Sequence, residues 1–262
     1  MSGCSLTTSL DGLSSGGGPS PSDAGTDTSP LVDSGSDASA DAPADSGPGD
    51  PCTGAIFCDT FERSGDVKGA WSFQGLQGNG TLAFDTTTAA RGTTSLEMVL
   101  PVGTTPRAYL SWDSTTTTSK RARVEWSAKS DAAPDRETQL MRLELQSSAR
   151  NTFVFVAFVP GNNIVLAEQR EEPGVSPSVT YSNVVLDSGF VPGKWQRWSL
   201  EIDARTSPAR GEVLLDGVRI GSKTLENPVD TGKIGVIVGG TFVRDGPVRT
   251  IWFDDVAVFD VR

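Results

Sequence analysis

Arg142, Glu144 and Gln146 alternate with Leu143 and Leu145. In a strand the three polar groups therefore point to one side and the two leucines to the other. A guanidinium, a carboxylate and an amide in one row form a polar wall for a charged or hydroxyl-rich ligand. These three are the first candidates for a binding site, with Arg142 and Glu144 also the weak candidates for chemistry. The 262 residues contain no His, which removes imidazole bases, Ser-His-Asp and Cys-His mechanisms, and zinc sites built on imidazole. The only phenols are Tyr109 and Tyr181, so any Tyr base must be one of them.

The elements that position these groups read as strands. Ala122, Val124 and Trp126 alternate with Arg121, Arg123 and Glu125, and Trp198, Leu200 and Ile202 alternate with Arg197, Ser199, Glu201 and Asp203. This period of two marks half-buried strands. Phe153 to Val159 is apolar on both faces and predicts a central strand. Asp216-Gly217 lies between Glu212-Val213-Leu214-Leu215 and Val218-Arg219-Ile220, a hairpin signal. Pro160-Gly161-Asn162-Asn163 predicts another turn. No helical stripe of useful length occurs. The fold expected is all-β, a two-sheet antiparallel sandwich over residues 51–262.

Residues 1–50 differ in composition. The first basic residue is Arg63, and residues 1–62 hold ten of the 33 acidic residues, leaving 23 acidic against 22 basic beyond them. The net charge of −11 thus belongs almost wholly to the start of the chain. The sandwich lacks the basic footprint of a nucleic-acid binder. Ser, Thr, Gly, Pro, Ala and regularly spaced Asp dominate residues 5–50, which cannot bury enough apolar area to offset their ordering entropy. A disordered, extended acidic tether is expected.

Met1-Ser2-Gly3-Cys4 resembles the end of a bacterial lipobox, although no basic start and apolar run precede it. The resemblance implies a signal peptide, lipidation at Cys4, export, and a lipid-anchored place at the outer membrane or surface of a Gram-negative bacterium. With Cys4 acylated, Cys52 and Cys58 remain as a pair that would close a small loop, in keeping with an oxidising compartment.

The order of motifs along the sandwich is also informative. It runs Phe57-Cys58-Asp59-Thr60-Phe61-Glu62, Trp71, Ala89-Ala90-Arg91-Gly92-Thr93-Thr94-Ser95-Leu96, Gly193-Lys194-Trp195-Gln196-Arg197-Trp198, Val213-Leu214-Leu215-Asp216-Gly217 and Ile251-Trp252-Phe253-Asp254-Asp255-Val256. This resembles the concanavalin A-like lectin/glucanase superfamily, with its laminin-G-like domains and jelly-roll polysaccharide lyases. The resemblance implies a jelly roll with a concave sheet that carries a sugar site. It also implies pairing of the first and last strands, where Asp59, Glu62, Asp254 and Asp255 would hold a structural Ca2+.

Arg142-Leu143-Glu144-Leu145 is similar to the Arg-x-Glu-Leu strand of jelly-roll alginate lyases, but the Gln-x-His and Tyr-Phe-Lys-Ala-Gly segments of that pattern are absent. Glu201-Ile202-Asp203 is similar to the Glu-x-Asp-x-Glu strand of retaining glucanases, except that Arg205 stands where the second carboxylate of the reacting pair is needed. Among the six Trp, Trp126 and Trp198 belong to the core by their alternation. Trp112, beside Asp113, and Trp195, on the face of Arg197, are candidates to stack on a pyranose ring.

The leading expectation is a surface lipoprotein whose sandwich binds glycan without catalysis. The alternatives are a divergent polysaccharide lyase using Arg142 and a Tyr, and a structural or adhesive protein that contacts other proteins.

Overall fold

The computed structural model describes residues 49–261, apart from 104, 116–117, 134–135, 147–150, 162, 172–179, 187–188, 227–228, 230–231, 242–245 and the side chains of 151, 171, 180 and 181. The chain divides into two units, Met1–Asp45 and Ser46–Arg262. The first, with Cys4, lies outside the described residues.

Among the described residues every regular element is a strand. In chain order they are β1 (Phe57–Asp59), β2 (Phe73–Gln77), β3 (Thr81–Asp85), β4 (Ser95–Leu100), β5 (Arg107–Asp113), β6 (Arg121–Ser130), β7 (Thr138–Gln146), β8 (Asn151–Val159), β9 (Asn163–Glu171), β10 (Thr180–Val185), β11 (Gln196–Asp203), β12 (Arg210–Leu215), β13 (Val218–Thr224), β14 (Lys233–Gly240) and β15 (Arg249–Asp260). They build two antiparallel sheets. The eight-stranded sheet runs β13-β12-β11-β6-β15-β4-β3, with β1 also paired to β15, and the seven-stranded sheet runs β10-β9-β8-β7-β14-β5-β2.

The alternation read in the sequence places the core between the sheets. Val124, Trp126, Leu200, Trp198, Val213, Phe253 and Val258 face inward from one sheet, and Leu110, Leu143, Leu145, Val154, Val156, Leu166 and Val236 from the other. Trp126 and Trp198 stack at 5.9 Å between ring centroids. Asp216 and Gly217 both take positive φ, 51° and 79°, as a tight hairpin between twisted strands requires. β8 is apolar on both sides, as predicted. Its outer residues Phe153, Phe155 and Ala157 join Val165 and Ala167 of β9 in a second apolar cluster on the far face of the seven-stranded sheet.

β15 is the longest strand and changes neighbour along its length. Arg249–Phe253 pairs with β4, whereas Val256–Val258 pairs with β1. Between them the register against β6 shifts, from Asp254 to Ala257, and Asp255 adopts a φ of 51°. This is a β-bulge, one extra residue that bends the strand.

Cys52 and Cys58 form a disulfide just before and within β1, tying the entry of the chain to the strand that pairs with β15. Its short loop places it below the ~3 kcal/mol of a 15-residue loop. Replacing both by Ser is expected to lower stability by about 2 kcal/mol, read as a fall in the urea midpoint with the slope unchanged.

Candidate functional site

Arg142, Glu144 and Gln146 stand on the outer face of β7. Their register partners are Phe155 and Phe153 on β8 and Ile237, Gly235 and Lys233 on β14. Beyond β14, Tyr109, Ser111 and Asp113 of β5 pair with Gly239, Ile237 and Gly235, so they share that outer face. The sequence row therefore becomes a patch that spans three strands.

Gly235 makes the patch continuous. It lies between Asp113 and Glu144, and a Cβ there would come within 2.5 Å of Gln146 Nε2 and 3.0 Å of Asp113 Oδ1. Without that Cβ, Gln146 Nε2 reaches across β14 to donate to Asp113 Oδ1 at 3.1 Å and also donates to Glu144 Oε2 at 3.0 Å. Glu144 Oε1 sits 2.5 Å from Arg142 Nε. The Arg142 guanidinium lies 3.2 Å from the centroid of the Phe153 ring, a cation–π arrangement. The result is one line, Asp113–Gln146–Glu144–Arg142–Phe153, in which each group fixes the next. Glu144 is nearly buried and Arg142 keeps about a sixth of its side chain exposed. No described residue accepts a hydrogen bond from either Nη group of Arg142. The Glu144 charge lies against the buried Nε edge of the guanidinium, which makes no hydrogen bond of its own, while the outer edge keeps donors of the kind that suit a carboxylate.

The rest of the face is divided. Tyr109 packs flat over β2, where a Cβ on Gly75 would lie 2.3 Å from the ring, and its ring is 6.0 Å from that of Phe73. Phe73 is half exposed. The Tyr109 ring thus leans to the sheet edge, away from β7, so the structure does not bring this phenol to Arg142. Tyr181 pairs with Gln169 at the other end of the sheet, with β8 and β9 between it and β7; its side chain lies outside the described residues.

The two Trp candidates part company. Trp112 turns inward and its ring stacks on Phe57 at 4.8 Å, so it is core and not a sugar platform; its alternation with Leu110 carried that signal. Trp195 lies on the eight-stranded sheet, on the opposite side of the sandwich from Arg142, where its Nε1 donates to Thr88 Oγ1 at 3.2 Å. The structure thus places Trp112, Trp195 and the Arg142–Glu144–Gln146 row in three separate places.

The four carboxylates expected to hold Ca2+ do not fit that ion. Asp59 accepts from Phe61 N, from Arg63 and from Trp71 Nε1, the last at 2.7 Å. Glu62 accepts from the amides of Thr93 and Thr94 and from the Thr93 hydroxyl, each at 2.8 Å. Asp254 accepts from the amides of Ala90, Arg91 and Asp255 at 2.9, 3.1 and 2.8 Å. Asp255 lies 3.3 Å from Arg91. Their oxygens are aimed at protein donors, and among the described residues no group of three or more acidic, Cys or His side chains gathers around one point. A calcium shell needs six to eight oxygens converging there.

Glu201 and Asp203 are also engaged by cations. Glu201 binds Arg121 at 2.7 Å, and the hydrogen bonds from Arg205 hold the Asp203 carboxyl down at about 2. An acid so fixed in its ionised form cannot serve as a proton donor.

No family model and no curated protein matches the sequence. Solved structures do match. An endo-β-1,4-glucuronan lyase from the fungus Trichoderma reesei is similar over 79% of this chain and 96% of its own, at 13% identity and a TM-score of 0.60. An alginate lyase from Chlorella virus is similar over 74% of this chain and 94% of its own, at 10% identity and a TM-score of 0.51. The chain has the jelly-roll fold of these two polysaccharide lyases.

Burial pushes the Asp254 carboxyl up to about 7 from an ordinary 3.8, and the Asp255 charge adds to this against the pull of the amide donors. The folded chain then holds a proton between those values that the unfolded chain releases. The stability this group contributes is full below about pH 4 and is lost as pH rises through about 7. Burial also raises Asp255 and Glu97, so they act in the same direction. Thermal melts are expected to fall from about pH 5 to about pH 8, and less steeply in Asp254→Asn. An equal slope in that variant would contradict the assignment.

Proposed function

We propose that the outer face of the seven-stranded sheet binds a uronate-bearing polysaccharide, with Arg142 receiving a sugar carboxylate. The observation that carries this reading is the Arg142 guanidinium, set between the Glu144 carboxylate at its Nε edge and the Phe153 ring, with no described residue accepting from its Nη groups. Gln146 and Asp113 beside it offer an amide and an acceptor to hydroxyl groups. Phe73 and Tyr109 offer aromatic surface at the sheet edge, where sugar rings can stack. The similar structures are named for lyases of glucuronan and alginate, both polymers of uronic acids, and that supports a polysaccharide partner of this class. Presentation at a cell surface through a lipid on Cys4 belongs to the same proposal; a disulfide between Cys52 and Cys58 is in keeping with an exported protein.

A second reading, elimination by a divergent lyase, has the two lyase folds in its favour. Elimination takes a proton from the carbon next to the uronate carboxyl while the 4-linked oxygen leaves, so it needs a neutraliser and a base. Arg142 fits the first role. Tyr109, turned over Gly75, does not fit the second, and Glu144 is tied to Arg142 and Gln146. The polar line by itself supports binding of a uronate, and the two lyase folds support elimination as a step beyond it.

Affinity electrophoresis of the full chain in gels containing alginate, polyglucuronate or a neutral glucan tests both. Retardation by a polyuronate is expected, weakened about tenfold to a hundredfold in Arg142→Ala. Equal retardation of wild type and Arg142→Ala would overturn the reading. An absorbance rise at about 235 nm on incubation would establish elimination in place of simple binding.

A further inference from the structure

The eight-stranded sheet carries a cavity of its own, about 470 Å³ in volume, on the side of the sandwich away from Arg142. One wall is the Trp195 ring. It is fixed by its bond to Thr88 Oγ1, which also accepts from Lys129 Nζ at 3.1 Å. The other walls bring in Arg91, Arg197, Asp216 and Asp255. The loop that supplies Arg91 is itself pinned, because Asp254 takes the amides of Ala90 and Arg91, and Glu62 takes those of Thr93 and Thr94.

The charges around the cavity are balanced. Arg91 lies 3.3 Å from Asp255, and Arg197 2.5 Å from Glu125. Asp216 accepts from Gln196 Nε2 and from the Arg197 amide. Both arginine side chains nevertheless keep a large exposed fraction, 39% for Arg91 and 46% for Arg197. A carboxylate or sulfate would meet Asp216 and Asp255 as well as the arginines, so the site does not favour an anion. A sugar hydroxyl, which both donates and accepts, can use an Arg donor and an Asp acceptor together. The apolar face of a pyranose ring suits the indole, and the volume lies within the range of small-ligand sites.

We propose that this cavity is a second carbohydrate site that binds a neutral pyranose sugar, with Trp195 as the stacking platform and Arg91, Arg197, Asp216 and Asp255 as the hydroxyl partners. It is independent of the polyuronate face, and the two sites would let one sandwich hold a neutral and an acidic glycan on opposite sides.

The test uses the full chain against an array of neutral oligosaccharides built from glucose, mannose, galactose and xylose, with tryptophan fluorescence titration of each hit. Wild type should bind at least one neutral oligosaccharide. Trp195→Ala should weaken that binding at least tenfold and Trp195→Phe by less, because a smaller ring still stacks. Polyuronate retardation should not change in Trp195→Ala, and neutral-sugar binding should not change in Arg142→Ala. Melting temperatures of both Trp195 variants show whether the fold is kept, and the Phe variant decides the matter if the Ala variant does not fold. The proposal is overturned if no neutral sugar binds, if the hit binds equally well to Trp195→Ala, or if Trp195→Ala loses polyuronate instead. Loss of polyuronate binding confined to Arg142→Ala concerns the other face alone, so failures of the two readings are told apart.

Discussion

Much of this sandwich depends on the bulge at Asp254 and Asp255. β15 keeps β6 on one side along its length while its neighbour on the other side changes. Here β4 ends and β1 begins on the same side of β15, and the bulge falls at the gap between them. Asp254 fills the break by turning a fully buried carboxylate onto three backbone amides. Buried amides left without acceptors would each cost free energy comparable to a lost hydrogen bond. The same contacts hold the loop before β4, place Arg91 against Asp255, and leave β1, with its disulfide, to close the sheet. The cost is a carboxyl held where its charge is disfavoured, which explains why its proton is retained almost to neutrality.

The fold was legible in the sequence because alternation is a local signal. Val124 and Trp126, or Leu143 and Leu145, show their burial by spacing alone, and Asp216-Gly217 shows its turn by residue type. Sheet membership is not local, and spacing along the chain does not carry it. Trp112 and Trp195 are alike as sequence candidates for stacking on sugar, yet one ring packs on Phe57 in the core and the other borders a cavity on the opposite sheet. The acidic pairs near both chain ends do come to neighbouring strands, but three of the four carboxylates accept from amides, and a sequence carries no mark of which backbone groups lack acceptors. Gly235 and Asp113 were missed as parts of the site. A glycine inside the β-branched run Lys233–Gly240 was the available clue, since such a residue often marks a close approach.

The polar line on the seven-stranded sheet shows how one row acquires a direction. Glu144 sets its charge against the guanidinium, Phe153 supports its plane, and Gln146 carries the line over Gly235 to Asp113. A group positioned from behind loses little freedom when its outer donors meet a ligand. The neighbouring positions opposite β7 are Phe153 and Phe155, which support the arginine and supply no proton acceptor. The fold shared with two lyases does not by itself decide between gripping a uronate and deprotonating one.

The outer edge of the Arg142 guanidinium is the proposed dock for a uronate carboxylate. Its most direct test is an NMR titration of the isotope-labelled full chain with a short uronic acid oligomer, following the arginine side-chain signals. The Arg142 signals are expected to move and saturate at the lowest ligand concentration, while those of Arg91 and Arg197 stay in place. Movement of Arg91 or Arg197 with Arg142 unchanged, or no movement of any arginine, would contradict it.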